Sequence, residues 1–116
     1  ASPYLRYLGV RAGADGCVVL PTDERHASDR PCIHGGVLVA FLEAVGALHL
    51  RSTGAPNARV NDVTATFLRP AALVDTTARA REVRRGRRFA QLEIVAWQTD
   101  PGSPVATGHG TWVLEP

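Results

Sequence analysis

The stretch CIHGGVLVAFLEAVGALHL, residues 32–50, constrains the fold more than any other part of the chain. Its spacing and the breakers Gly54 and Pro56 after it predict a helix over 34–51. Apolar residues cover every face of that helix: Val37, Leu38, Val39, Ala40, Phe41, Leu42, Ala44, Val45, Ala47 and Leu48. A helix that is apolar all round belongs inside a protein rather than on its surface. A single small sheet can enclose it only by curling around it; otherwise a second copy of the chain must cover the remaining face.

The remaining segments supply that sheet. Residues 17–20 (CVVL) read as a strand after a turn at 12–16, and 4–10 fit either a short helix or a strand. Residues 21–32 carry turn formers and read as a loop. Four further strands are predicted over 59–69, 75–84, 88–99 and 105–114, punctuated by Pro70, Gly86 and the turn DPGSP. Within the third, Phe89, Gln91, Glu93, Val95 and Trp97 alternate with Ala90, Leu92, Ile94, Ala96 and Gln98. Long strands joined by short turns predict an antiparallel meander. The expectation is an α+β domain spanning 1–116, with a sheet wrapped around one long helix and pairing between copies.

Composition narrows the function classes. A net charge of +2 argues against wholesale nucleic-acid or membrane binding. The longest apolar run is interrupted by Glu43 and is short for a bilayer span. Two cysteines, Cys17 and Cys32, without CxxC spacing point to a reducing, cytoplasmic compartment. Methionine is absent, which implies a trimmed start and leaves an upstream targeting segment open. His26, His34, His49 and His109 lack metal-ligand spacing, so neither a metal nor a bound cofactor is expected. There is no GxSxG elbow and no glycine-rich nucleotide loop.

Glu43 is the residue that asks for an explanation. An unpaired carboxylate in an apolar setting costs several kcal/mol or takes up a proton. Either Glu43 reaches an edge or an arginine, or it is a desolvated base or nucleophile with a raised pKa. Gly35 and Gly36 either ease a tight turn or present bare N–H groups to a developing oxyanion at the helix N-terminus. Glu43 lies nine positions after His34 and seven after Gly36, about 13 Å and about 10 Å along a helix axis. One helix therefore cannot bring both ends to one carbonyl. Two helices paired antiparallel across a dimer can.

The segments HGGVLVAFLEAVG, VTATFLRPA and GRRFAQLEIVAWQTDPGSPVATGHGTWVL together resemble the hotdog-fold acyl-CoA thioesterases of the PaaI-like, 4-hydroxybenzoyl-CoA thioesterase superfamily. The resemblance implies a five- or six-stranded antiparallel sheet around a long helix, in dimers that pair into homotetramers. It also implies hydrolysis of aryl or short- to medium-chain acyl-CoA to free acid and coenzyme A. Gly35 or Gly36 would polarise the thioester carbonyl, Glu43 would be nucleophile or general base, and His34 would shape the site. Ser28 stands where relatives carry Asn or Gln, and Val60 beside Asn61 where they carry Ser or Thr, so either Ser28 or Asn61 holds the water or the site is slow or altered. Arg79, Arg81, Arg84, Arg85, Arg87 and Arg88 crowd one hairpin with Glu82. They are either a solvated turn or a guanidinium clamp for the phosphates of coenzyme A, with Arg84, Arg85, Arg87 and Arg88 nearest the turn. His109, between two glycines, is a candidate pocket residue. Two other readings stay open: a hotdog protein that binds acyl-CoA or an acyl chain without turnover, and a hotdog hydratase or dehydratase, whose proton-abstracting histidine His34 fits poorly.

Overall fold

The structure, a computed structural model, describes residues 3–115, without the side chains of Pro3 and Tyr4. A short helix α1 (Pro3–Leu8) leads into β1 (Arg11–Ala12) and β2 (Val18–Leu20). The long helix α2 (Gly35–Ser52) follows, then β3 (Arg59–Phe67), β4 (Thr76–Arg85), β5 (Phe89–Trp97) and β6 (Ala106–Val113). All strand pairs are antiparallel, in the order β1-β2-β4-β5-β6-β3.

The concave side of the sheet is lined by small residues. Ala78, Ala90, Ala96 and Ala106 are almost fully buried, which lets the backbone close on α2. Leu38, Phe41, Leu42, Val45 and Leu50 fill the space from the helix side. Gly46 is a tight point on the helix side. A methyl group there would overlap the ring of Trp112, which is fully buried and donates from Nε1 to the Glu43 carbonyl at 3.2 Å. By length and composition α2 could cross a membrane, but here it is the core of the curled sheet.

Two expectations are corrected. The meander holds for β4, β5 and β6, but β3 pairs with β6 instead of β4. The segment after β3 is pinned across the start of α2: Ile33 N–H donates to the Ala71 carbonyl at 2.8 Å, and Gln98 Nε2 to that of Ala72 at 2.8 Å. The chain is thereby carried to the far side of the sheet, where β4 enters beside β2. Nor is α2 buried all round: Val37, Ala40, Glu43 and Ala47 are only half-buried. The partly uncovered helix face and β3, an edge strand with exposed residues along its length, are both left open by one chain.

Candidate active site

The N-terminal end of α2 is built by His34. Its backbone leaves the helical region, and its Nδ1 accepts the Gly36 N–H at 2.9 Å, a side-chain cap. The nitrogen that accepts must hold a lone pair, so the neutral ring carries its proton on Nε2. The His34 carbonyl accepts from Val37 and Leu38. Gly35, the first helical residue, is left as the N–H at this end with no acceptor among the described residues. The sequence left Gly35 and Gly36 equivalent; the cap separates them.

His34 and Gly36 line a cavity of ≈ 460 Å³ with Val37, Ala40, Tyr7 and Arg25. Arg25 lies over the Tyr7 ring at 5.5 Å and is clamped by Asp23. The Arg25 side-chain and backbone donors hold the Asp23 carboxyl down to about 2. Gly35 faces a second cavity, of ≈ 360 Å³, walled by Phe67, Leu68 and Pro70. His26 is a buried structural residue: its Nε2 donates to the Tyr7 carbonyl at 2.9 Å and ties α1 to the loop before α2.

Glu43 sits in a third cavity, of ≈ 170 Å³, with Leu5, Ala47, Arg51, Arg59 and Val60. Arg51 follows Glu43 by eight positions on α2 itself, whereas Arg59, at the start of β3, is brought there by the loop after α2 and carries no signal in the sequence pattern. Arg51 Nε donates to the Ala58 carbonyl at 3.1 Å, and Arg59 pairs with Glu115 at 2.7 Å. Gly35 and Glu43 are eight positions apart on an unbroken helix, about 12 Å along its axis. Each cavity in which one of them takes part excludes the other.

The remaining candidates are dispersed. Ser28 Oγ is turned onto its own loop, exchanging hydrogen bonds with the Arg30 backbone at 3.1 and 3.2 Å. Asn61 lies exposed in a β-bulge between Val60 and Asp62, its amide on the Asp62 carboxylate at 3.0 Å. His109 lines none of the described cavities. Gly108 packs against Leu42 on the inner face, so His109 points out from the opposite face, level with Glu93 and Thr64. Arg85 is not free to clamp a phosphate. It is bound to both oxygens of Glu82 and to the carbonyl and hydroxyl of Thr53 at the end of α2. Arg81 is offset by Glu93 at 2.7 Å, and Arg79 lies over Trp97. Arg84, Arg87 and Arg88 stay exposed at the turn.

The comparisons with known proteins decide the family. A family model described as acyl-CoA thioesterase N-terminal domain matches residues 22–113. The chain belongs to that thioesterase family. Solved structures agree on the fold. The conserved protein PA5202 of Pseudomonas aeruginosa superposes with a TM-score of 0.87 at 25% identity, covering 99% of this chain and 95% of that one. Thioesterase HI1161 of Haemophilus influenzae gives 0.82 at 26% identity, over 94% and 80% of the two chains. The PaaI protein of E. coli gives 0.84 at 21% identity, over 99% and 86%. None of the curated proteins matches. The fold is thus the hotdog, and the chain is a thioester hydrolase of the acyl-CoA thioesterase family.

Proposed function

We propose that this thioesterase hydrolyses aryl or short- to medium-chain acyl-CoA to a free acid and coenzyme A at sites shared between two copies. The observation that carries the reading is the separation of Gly35 and Glu43 along one straight helix. An available N–H stands at its start and a carboxylate about 12 Å further on, in different cavities. Two copies joined at the open β3 edges and the uncovered face of α2 would set the Gly35 of one beside the Glu43 of the other. Unpaired edge strands of this length are otherwise aggregation-prone. Further pairing of such dimers gives the tetramer, and the two free cysteines suit the cytoplasm.

In that arrangement the thioester carbonyl oxygen accepts from Gly35 N–H, which stabilises the charge that develops as the carbonyl carbon becomes tetrahedral. Glu43 of the second copy either attacks that carbon or takes the proton of an attacking water. Collapse expels the coenzyme A thiolate, and the acid is released directly or after hydrolysis of the anhydride on Glu43. Arg84, Arg87 and Arg88 offer guanidinium groups to the phosphates of coenzyme A. One observation favours a second reading, in which acyl-CoA is bound without turnover: Ser28 is turned onto its own loop, leaving that position without a free group to hold water. Thiol release from a panel of aryl- and alkyl-CoA esters tests both. Release by wild type and not by Glu43→Ala supports hydrolysis; saturable binding without release supports the second reading.

A further inference from the structure

The largest cavity among those described, ≈ 860 Å³, lies on a different side of α2 from the helix N-terminus and takes no part in the mechanism above. Its walls are apolar: Val45 and Leu48 from α2, Val18 and Ala80 from the sheet, and Leu5 and Val10 from the α1 segment. The charged residues Arg6 and Arg11 in its lining are exposed at its margin, and His49 is held by Glu82 at 2.8 Å. Gly9 and Gly16 add wall without side chains, and a methyl group at either would meet no atom within 4 Å. Cavities of 300–1,000 Å³ are the usual size for small ligands.

One residue joins this cavity to the chemistry. Leu5 lines both it and the small cavity that holds Glu43. We propose that the large cavity receives the acyl chain of the thioester, with Leu5 as the partition the chain passes, so that among those esters the enzyme prefers unbranched medium-chain alkyl groups over short-chain and aryl groups. This rests on the hydrolase reading for its link to Glu43. The copy that supplies Glu43 also supplies the chain cavity, while its partner supplies Gly35. Apolar walls reward each added methylene, and a benzoyl or phenylacetyl group is too short to reach as far along them as a medium-chain alkyl group. Trapping a methylene in an apolar site is worth about a fourfold gain in binding.

The test is a series of saturated acyl-CoA esters from butyryl to hexadecanoyl, with benzoyl- and phenylacetyl-CoA, on the intact protein. The expected result is a kcat/KM that climbs by up to about 16-fold per pair of methylenes before levelling. Leu48→Trp, which fills the cavity, lowers the dodecanoyl-to-butyryl ratio at least tenfold. Ala80→Leu fills it from the sheet side and replaces that variant if it fails to fold. Turnover that is flat with chain length, or fastest on the aryl esters with an unchanged ratio in the filled variant, overturns the proposal and leaves the hydrolase reading intact. If no ester is cleaved, the hydrolase reading falls by itself, and titration with the fluorescent fatty acid cis-parinaric acid decides on the cavity. Saturable binding that weakens at least tenfold in the filled variant supports it; no saturable binding, or binding indifferent to the filling, overturns it.

Discussion

The two ends of α2 are treated in opposite ways. The C-terminal end is saturated with partners. His49 binds Glu82, Arg85 binds Glu82 and Thr53, and the Thr53 hydroxyl reaches the carbonyls of His49 and Leu50. A guanidinium there also meets the negative end of the helix dipole. The N-terminal end carries a single side-chain cap, His34 on Gly36, and keeps Gly35 N–H available. The contrast separates support from chemistry. One end is tied to the β4–β5 hairpin and fixes the helix, and the other presents the positive end of the dipole. Glu43 lies between them, with Trp112 on its carbonyl and Gly46 giving Trp112 room.

Four substitutions break or sharpen this contrast, in descending order of effect. Glu43→Ala should lower thioester turnover by about 10²–10⁴-fold, the usual worth of a positioned acid or base, with little change in thermal unfolding. Gly35→Pro should cost about 10²–10³-fold in kcat, because it deletes the N–H at this helix end that has no acceptor among the described residues. Proline is well tolerated at the first helical position, so the fold should survive. Gly35→Ala is the control: it keeps the N–H, and its methyl would meet the Phe67 ring at an ordinary 3.5 Å. Gly46→Ala should destabilise the fold by about 1–3 kcal/mol in urea titrations, through overpacking against Trp112.

The smallest effect belongs to the tied end. Hydrogen bonds from His49 and then Arg85 hold the Glu82 carboxyl below the ordinary glutamate range. A carboxylate whose folded pKa is depressed contributes stability above its unfolded pKa, and loses it as pH falls through the folded value. Glu82→Gln should therefore lower Tm at neutral pH by the equivalent of less than about 1 kcal/mol, since the pair is partly exposed. The difference between variant and wild type should shrink as the solution is taken to acid pH, and thermal scans across pH measure it.

Much of this was legible in the sequence. The sequence predicts a helix over 34–51, and α2 runs Gly35–Ser52. The four long strands were placed within a few residues of their observed bounds, because alternation and turn residues mark them locally. The placement of β3 was not legible, because it depends on Ala71 and Ala72 being pinned near the start of α2. Gly46 did leave a signal, a glycine inside an apolar helix, but its partner Trp112 is 66 positions away. Glu43 and the glycine pair stood out because an acid in an apolar run and two bare residues at a helix start are local anomalies. Arg85 and His109 did not yield to the same reasoning. A hairpin arginine reads alike whether it faces solvent or a helix end, and a residue between two glycines has no marked face until the register is known.

The central claim is that Gly35 of one copy works with Glu43 of another, and a mixing experiment tests it most directly. Glu43→Ala and Gly35→Pro chains, each inactive alone, are unfolded together, refolded and assayed for thiol release. In a mixed dimer the Glu43→Ala chain still supplies Gly35 and the Gly35→Pro chain still supplies Glu43, which restores one of the two sites. Random pairing makes half of the dimers mixed, so the account predicts recovery of about a quarter of wild-type activity, as expected for an isologous two-fold pair. A mixture that folds and pairs but stays as inactive as its parents would contradict it.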